Sequence, residues 1–176
     1  MKHLFLTAGI TLMCACVEPA HSTPQQSAET SETAYSVTAS DFQTLVGDGW
    51  VGTLSYLDYS KETWEDIPVK LKVETPKKRS VSYAIKFPGE SRYNTRERIK
   101  LSSDGTLLNG EQIVMRETLA DGNLRILTEA PGKDDGKRAT IRKEYVAGAS
   151  TFIVKKYVKF EGEAEFFQRN EFNLAR

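Results

Sequence analysis

From Trp50 to Leu174 the chain repeats one pattern: apolar side chains at every second position, interrupted by short turn sequences. Ile67, Val69, Leu71 and Val73 alternate with Pro68, Lys70, Lys72 and Glu74. Val81, Tyr83, Ile85 and Phe87 alternate with Ser82, Ala84 and Lys86. A period of two puts successive side chains on opposite faces of a strand, so each run offers one face to a core. Asp104-Gly105, Asn109-Gly110, Asp121-Gly122 and Asp135-Gly136 are hairpin signals, and Gly148 and Gly162 mark two further turns. The runs between these turns read as strands over 50–59, 67–73, 81–87, 93–101, 106–108, 112–119, 123–130, 137–146, 151–160 and 163–174. Only Asp41 to Val46 looks helical, for a turn or two.

Short strands in unbroken hairpin order, without crossover helices, predict an all-β fold. A single antiparallel up-and-down meander barrel of about eight to ten strands, with one short N-terminal helical turn, removes exposed sheet edges. A barrel of that size has room for a ligand inside.

The N-terminus has a different composition. Lys2 and His3 precede an uncharged, mostly apolar run from Leu4 to Met13, then Cys14-Ala15-Cys16. A basic start, an apolar stretch of about 7–15 residues and small residues at its end make a secretory leader. The run is shorter than the roughly 20 residues of a membrane-spanning helix. Residues 17–40 are rich in Ser, Thr, Gln, Glu, Ala and Pro and read as a disordered tether. The folded domain is expected over 41–176, which is one ordinary domain.

Met13-Cys14-Ala15-Cys16 resembles the lipobox of bacterial lipoproteins, with Ala15 before the acylated cysteine. The resemblance implies residues 1–16 as a lipoprotein-type signal, lipidation of Cys16 and a lipid bilayer as partner through the acyl chains. Val17 after Cys16, rather than aspartate, resembles the outer-membrane class, so the implied location is the cell envelope, facing the periplasm. With Cys14 removed and Cys16 acylated, no disulfide forms within the mature chain.

His3, Cys14, Cys16 and His21 are the only histidines and cysteines, and all precede the domain. No Ser-His-Asp or Cys-His arrangement can be built in the domain, and histidine-ligated zinc or haem is excluded there. The sequence therefore points to no catalytic residue, metal or cofactor, and to a protein that is not an enzyme. Residues 41–176 hold 23 Lys/Arg and 21 Asp/Glu. That near-balance has no electrostatic footprint for nucleic acid and suggests no polyanionic partner. Lys77-Lys78-Arg79 reads as a solvated hairpin tip, with an anionic lipid contact as the alternative. Lys133-Asp134-Asp135-Gly136-Lys137 supplies too few oxygen ligands for calcium.

Val46-Gly47-Asp48-Gly49-Trp50-Val51-Gly52 resembles the opening of the lipocalin and fatty-acid-binding superfamily, the calycins, and the closing Phe167 to Arg176 resembles its final strand. The resemblance implies a short helical turn, then Gly-x-Trp leading into the first strand. It also implies a basic residue of the last strand packed across that tryptophan. Arg176 against Trp50 is the expected structural lock, ahead of Arg169. The chain lacks lipocalin disulfides, and 59–67 is too short for a helical lid.

Two functions from different classes follow. In the first, the barrel binds a hydrophobic or amphipathic small molecule. Arg142, Glu144, Lys155 and Tyr157 share one strand face if Gly148 and Gly162 set the turns, and Tyr83 lies in an apolar run. An interior arginine and tyrosine could hold a carboxylate head group. The same residues form cross-strand ion pairs outside the barrel if the register differs by one. In the second, side chains fill the barrel and its outer surface binds a protein.

Overall fold

The computed structural model describes residues 34–176. The expected lipidation site Cys16 lies outside the described residues, with the leader and the tether as far as residue 33. Ten strands follow one another: β1 (Gly47–Asp58), β2 (Thr63–Val73), β3 (Ser80–Lys86), β4 (Thr95–Lys100), β5 (Leu107–Leu108), β6 (Glu111–Thr118), β7 (Leu124–Asp134), β8 (Lys137–Ala147), β9 (Thr151–Phe160) and β10 (Phe167–Ala175). Two 3-10 turns, Ala39–Leu45 and Ser91–Tyr93, are the helical elements among the described residues.

All ten strands belong to one sheet in the order β4-β3-β2-β1-β10-β9-β8-β7-β6-β5. Every named pairing is antiparallel. The first strand pairs with the last, which leaves β4 and β5 as the two edges. These meet at the Leu101–Leu108 bridge and at Asn109, whose N–H donates to the Lys100 carbonyl (2.7 Å). The result is a nearly closed meander barrel.

Several boundaries differ from the sequence reading, including the start of β10 at Phe167 instead of 163, and three of them have a clear local reason. β2 starts at Thr63 because Trp64 still pairs with Leu57. β7 runs through Pro131 to Asp134. Its pairing to β6 ends at Glu129, so the missing proline N–H faces an edge without a partner. The tether was expected to reach Ser40, yet Val37 and Ala39 are buried in the core and the Val37 N–H donates to the Gly105 carbonyl (2.9 Å). Two apolar side chains within a polar stretch suffice to pin it. Asp41 holds the following 3-10 turn, accepting from the Thr38 N–H (2.6 Å) and from Arg116 (2.8 Å).

The core is densest at the end of the barrel where β1 begins and β10 ends. Trp50 is fully buried there with Phe42 and Leu45 of the 3-10 turn. Its indole N–H donates to the Leu45 carbonyl (2.9 Å), and its ring meets Phe152 edge-on at 6.4 Å. The Arg176 guanidinium lies 4.3 Å from the indole centroid. It donates to the carbonyls of Thr44 (2.6 Å), Val46 (2.8 Å) and Ala149 (2.9 Å). One side chain thus ties the last strand to the end of the 3-10 turn and to the β8–β9 turn. Gly52 lets the two terminal strands approach, since a Cβ there would run into the Asn173 carbonyl.

Arg176→Ala should cost about 2 kcal/mol in urea unfolding, from the charge-assisted bonds and the stacked cation. Arg176→Lys should recover less than half of that, because an ammonium cannot span the three carbonyls.

Candidate functional site

Each strand has one apolar phase, and these phases define the inside. On β3 it is Val81, Tyr83 and Ile85; on β9 it is Phe152, Val154 and Val158; on β10 it is Phe172 and Leu174. Between the packed core and the far end they leave a cavity of about 490 Å³. Leu71, Ile85, Ile99, Phe152, Val154, Phe172 and Leu174 give it apolar walls. Tyr83, Tyr145, Asn109, Asn170, Lys143 and Lys156 add polar groups.

The opening follows from the sheet order. β5 is two residues long, so β4 above the Leu101–Leu108 bridge has no strand on its outer edge. The β4 segment Glu97 to Lys100 lines the cavity beside Asn109 and faces Lys143 of β8 across the gap. The mouth is therefore lateral.

A polar and aromatic cluster occupies part of the far end of the barrel, beside a groove lined by Leu54, Tyr56, Ile67, Phe87 and Tyr93. Asp134 accepts from Tyr59 (2.7 Å) and Lys156 (2.5 Å), with Arg169 at 3.4 Å. Arg169 also stacks on Tyr59 (4.2 Å) and donates to the Leu57 carbonyl. Tyr59 packs on Phe167, which packs on Phe160. Tyr59 follows β1 while Asp134 ends β7, so this cluster links opposite walls.

The five residues expected to anchor a ligand divide on placement. Tyr83 faces the cavity, and burial, with Glu97 nearby, pushes its hydroxyl up to about 12. Arg142, Glu144, Lys155 and Tyr157 lie on the outer face. They pair across β8 and β9 as one set, Arg142 with Tyr157 and Glu144 with Lys155. Arg142 donates to Glu129 (2.5 and 2.8 Å) and stacks on Phe166 at 4.0 Å. Glu144 accepts from Arg125 (2.6 Å) and from Tyr157 (3.0 Å). Burial and that bond push the Tyr157 hydroxyl up to about 12. The interior placement of these four is corrected: they share one face as expected, but the alternate phase, with Ile141, Tyr145, Val154 and Val158, is the one that packs into the core.

The residues on the inside are their sequence neighbours, Lys143, Tyr145 and Lys156. The Lys143 ammonium meets Glu111 (2.5 Å), which also accepts from the buried Thr128 (2.6 Å). Burial pushes the Tyr145 hydroxyl far up. A signal for them existed in the sequence. Lys156 is the single charge among Phe152, Val154, Val158 and Phe160, and Lys143 is the single charge among Ala139, Ile141, Tyr145 and Ala147. A bulge at Arg169 turns Asn170 inward, opposite Lys156.

Comparisons with known protein families, with curated proteins and with solved structures found no match.

Asp134 supplies a pH dependence. Burial raises its pKa, but Lys156, Tyr59 and Arg169 outweigh burial and hold the carboxyl below its ordinary value. A depressed carboxylate adds stability above its unfolded pKa, about 4, and that stability is lost as pH falls through the folded value. Asp134→Asn should therefore lose about 2 kcal/mol at neutral pH and show a shallower decline below pH about 4, in urea melts across pH.

Proposed function

We propose that this chain binds a hydrophobic or amphipathic small molecule inside a calycin-like barrel, held at a cell-envelope membrane by an acylated Cys16. The observation that carries the reading is the lateral cavity of about 490 Å³, within the roughly 300–1,000 Å³ of small-molecule sites. Its apolar walls suit a hydrocarbon portion. Lys143 and Lys156 at its polar end, beside Tyr83 and Tyr145, suit an anionic or hydrogen-bonding head. The protein acts as a binder, not as an enzyme. The periplasmic face of the outer membrane, and the resemblance to calycins, belong to this reading.

The competing reading, a filled barrel that binds a protein by its surface, draws on the far-end cluster of Tyr59, Asp134, Arg169 and Phe167. Native mass spectrometry of the full chain with oleate distinguishes the two. We expect a one-to-one complex. Val154→Phe, which fills the cavity, should weaken it at least about tenfold, or roughly 1.4 kcal/mol. Lys143→Ala should weaken it several-fold, and Arg142→Ala on the outer face should leave it unchanged. Uptake by Val154→Phe equal to the parent would place the ligand elsewhere. No uptake by any form, and no co-purifying lipid, would favour the filled barrel.

The anchor has its own test. Metabolic labelling with palmitate in an expressing bacterium should mark the protein, and Cys16→Ser should remove the label while Cys14→Ser keeps it. Label retained in Cys16→Ser would overturn the assignment.

A further inference from the structure

The near-zero charge of the domain conceals a segregation. Residues 70–100 hold ten Lys/Arg against three Asp/Glu. In the barrel, Val69, Leu71, Val81, Ile85 and Ile99 turn into the core. The alternate phase turns out, and it carries Lys70 and Lys72 of β2, Lys86 of β3, and Arg96, Arg98 and Lys100 of β4. The β2–β3 turn adds Lys77, Lys78 and Arg79. Among the described residues, none of these nine meets a carboxylate in an ion pair. On the outer face of the opposite wall, Arg125 and Arg142 each meet a carboxylate, whereas Lys155 and Lys159 do not.

The arrangement runs against local stability. Lys70 and Lys86 stand directly opposite one another, a placement that repels. Arg96 and Arg98 stand opposite Ala84 and Ser82, small residues that neither neutralise nor cover them. Glu74 lines a groove with Arg96, Arg98 and Lys100, and Asp48 lines another with Lys70, Lys72 and Lys86, but neither comes within ion-pair distance of them. A broad outer sheet face with unneutralised cations needs an anionic partner of matching breadth.

We propose that the outer face of β2–β4 docks on the anionic headgroups of a phospholipid bilayer. Three observations favour a bilayer over a nucleic acid or an acidic protein. The cations are spread over three adjacent strands and are not concentrated on one element that could enter a groove. Trp64 (48% exposed) and Tyr93 (54% exposed) lie on the same rim of β2–β4, where amphipathic rings suit a headgroup layer. The chain also enters the described domain beside the end of β4, where the Val37 N–H donates to the Gly105 carbonyl, at the edge that carries Arg96, Arg98 and Lys100. Docked in this way, β4 brings the lateral mouth of the cavity to the bilayer. The docking itself does not depend on whether the cavity holds a ligand.

The test is vesicle flotation of the full chain carrying Cys14→Ser and Cys16→Ser, so that no acyl chain contributes. Vesicles of phosphatidylcholine are compared with phosphatidylcholine mixed with phosphatidylglycerol. We expect a gain on the phosphatidylglycerol vesicles that fades with added salt. Arg96→Ser/Arg98→Ser/Lys100→Ser should reduce that gain on the order of 100-fold, from roughly fivefold per basic residue near such a surface. Lys70→Ser/Lys72→Ser/Lys86→Ser should do the same and serves as the second variant if the first loses its strand circular dichroism. Lys133→Ser/Lys137→Ser/Arg138→Ser, at the far β7–β8 tip, removes equal charge and should keep the gain. Equal loss in that control would overturn the proposal in favour of net charge alone. Equal flotation on both vesicle types, or tight duplex DNA binding without vesicle binding, would overturn it as well.

Discussion

The pairing of β1 with β10 is the constraint on which the rest of the barrel depends. It joins strands from opposite ends of the domain, at the cost of the longest loop closure in the fold. The local chemistry is suited to that cost. Gly52 lets the two backbones approach, Trp50 fills the space beneath them, and Arg176 binds carbonyls on both sides of the seam. The 3-10 turn is part of the same assembly, because Leu45 takes the indole proton while Thr44 and Val46 take the guanidinium. With the seam formed, every other strand contact is between chain neighbours, the short β4–β5 bridge included.

The cavity is a consequence of what the meander leaves out. β5 is too short to cover β4, so the wall opens at the side, while Asp134 and its partners occupy part of the far end and Trp50 closes the near one. The polar groups inside are mostly engaged already, Lys143 by Glu111 and Lys156 by Asp134. An arriving anion would compete with these carboxylates or share their cations. Apolar surface is the larger attraction that the interior offers.

The two walls of the barrel manage charge in opposite ways. On β6 to β9, a ladder runs from Glu117 through Arg125 and Glu144 to Tyr157, each group satisfied by the next strand. On β2 to β4 the cations stand unneutralised on their outer face. The first is the usual solution for a solvated sheet, where exposed pairs add little but remove repulsion. The second retains repulsion.

Fold class, strand count and strand order were legible in the sequence, because period-two alternation and Gly-containing turns are local signals that survive without a structure. The contact of Trp50 with Arg176 was implied by the resemblance of the two chain ends, and meander order, which brings the end of the last strand to the start of the first, suits it. Which phase of each strand faces inward was decided only by the tertiary structure. Arg142 and Lys143 are adjacent, and a register shift of one exchanges them. The bulge at Arg169 then turned Asn170 inward, away from the face that Gln168 keeps. The reach of β5, and with it the lateral mouth, also lay beyond local signals, since strand length depends on whether a neighbour is present to pair. The basic face was present in the sequence as ten cations within residues 70–100. Only the pleat, by sending Val69, Leu71, Ile85 and Ile99 inward, gathered six of them on one side.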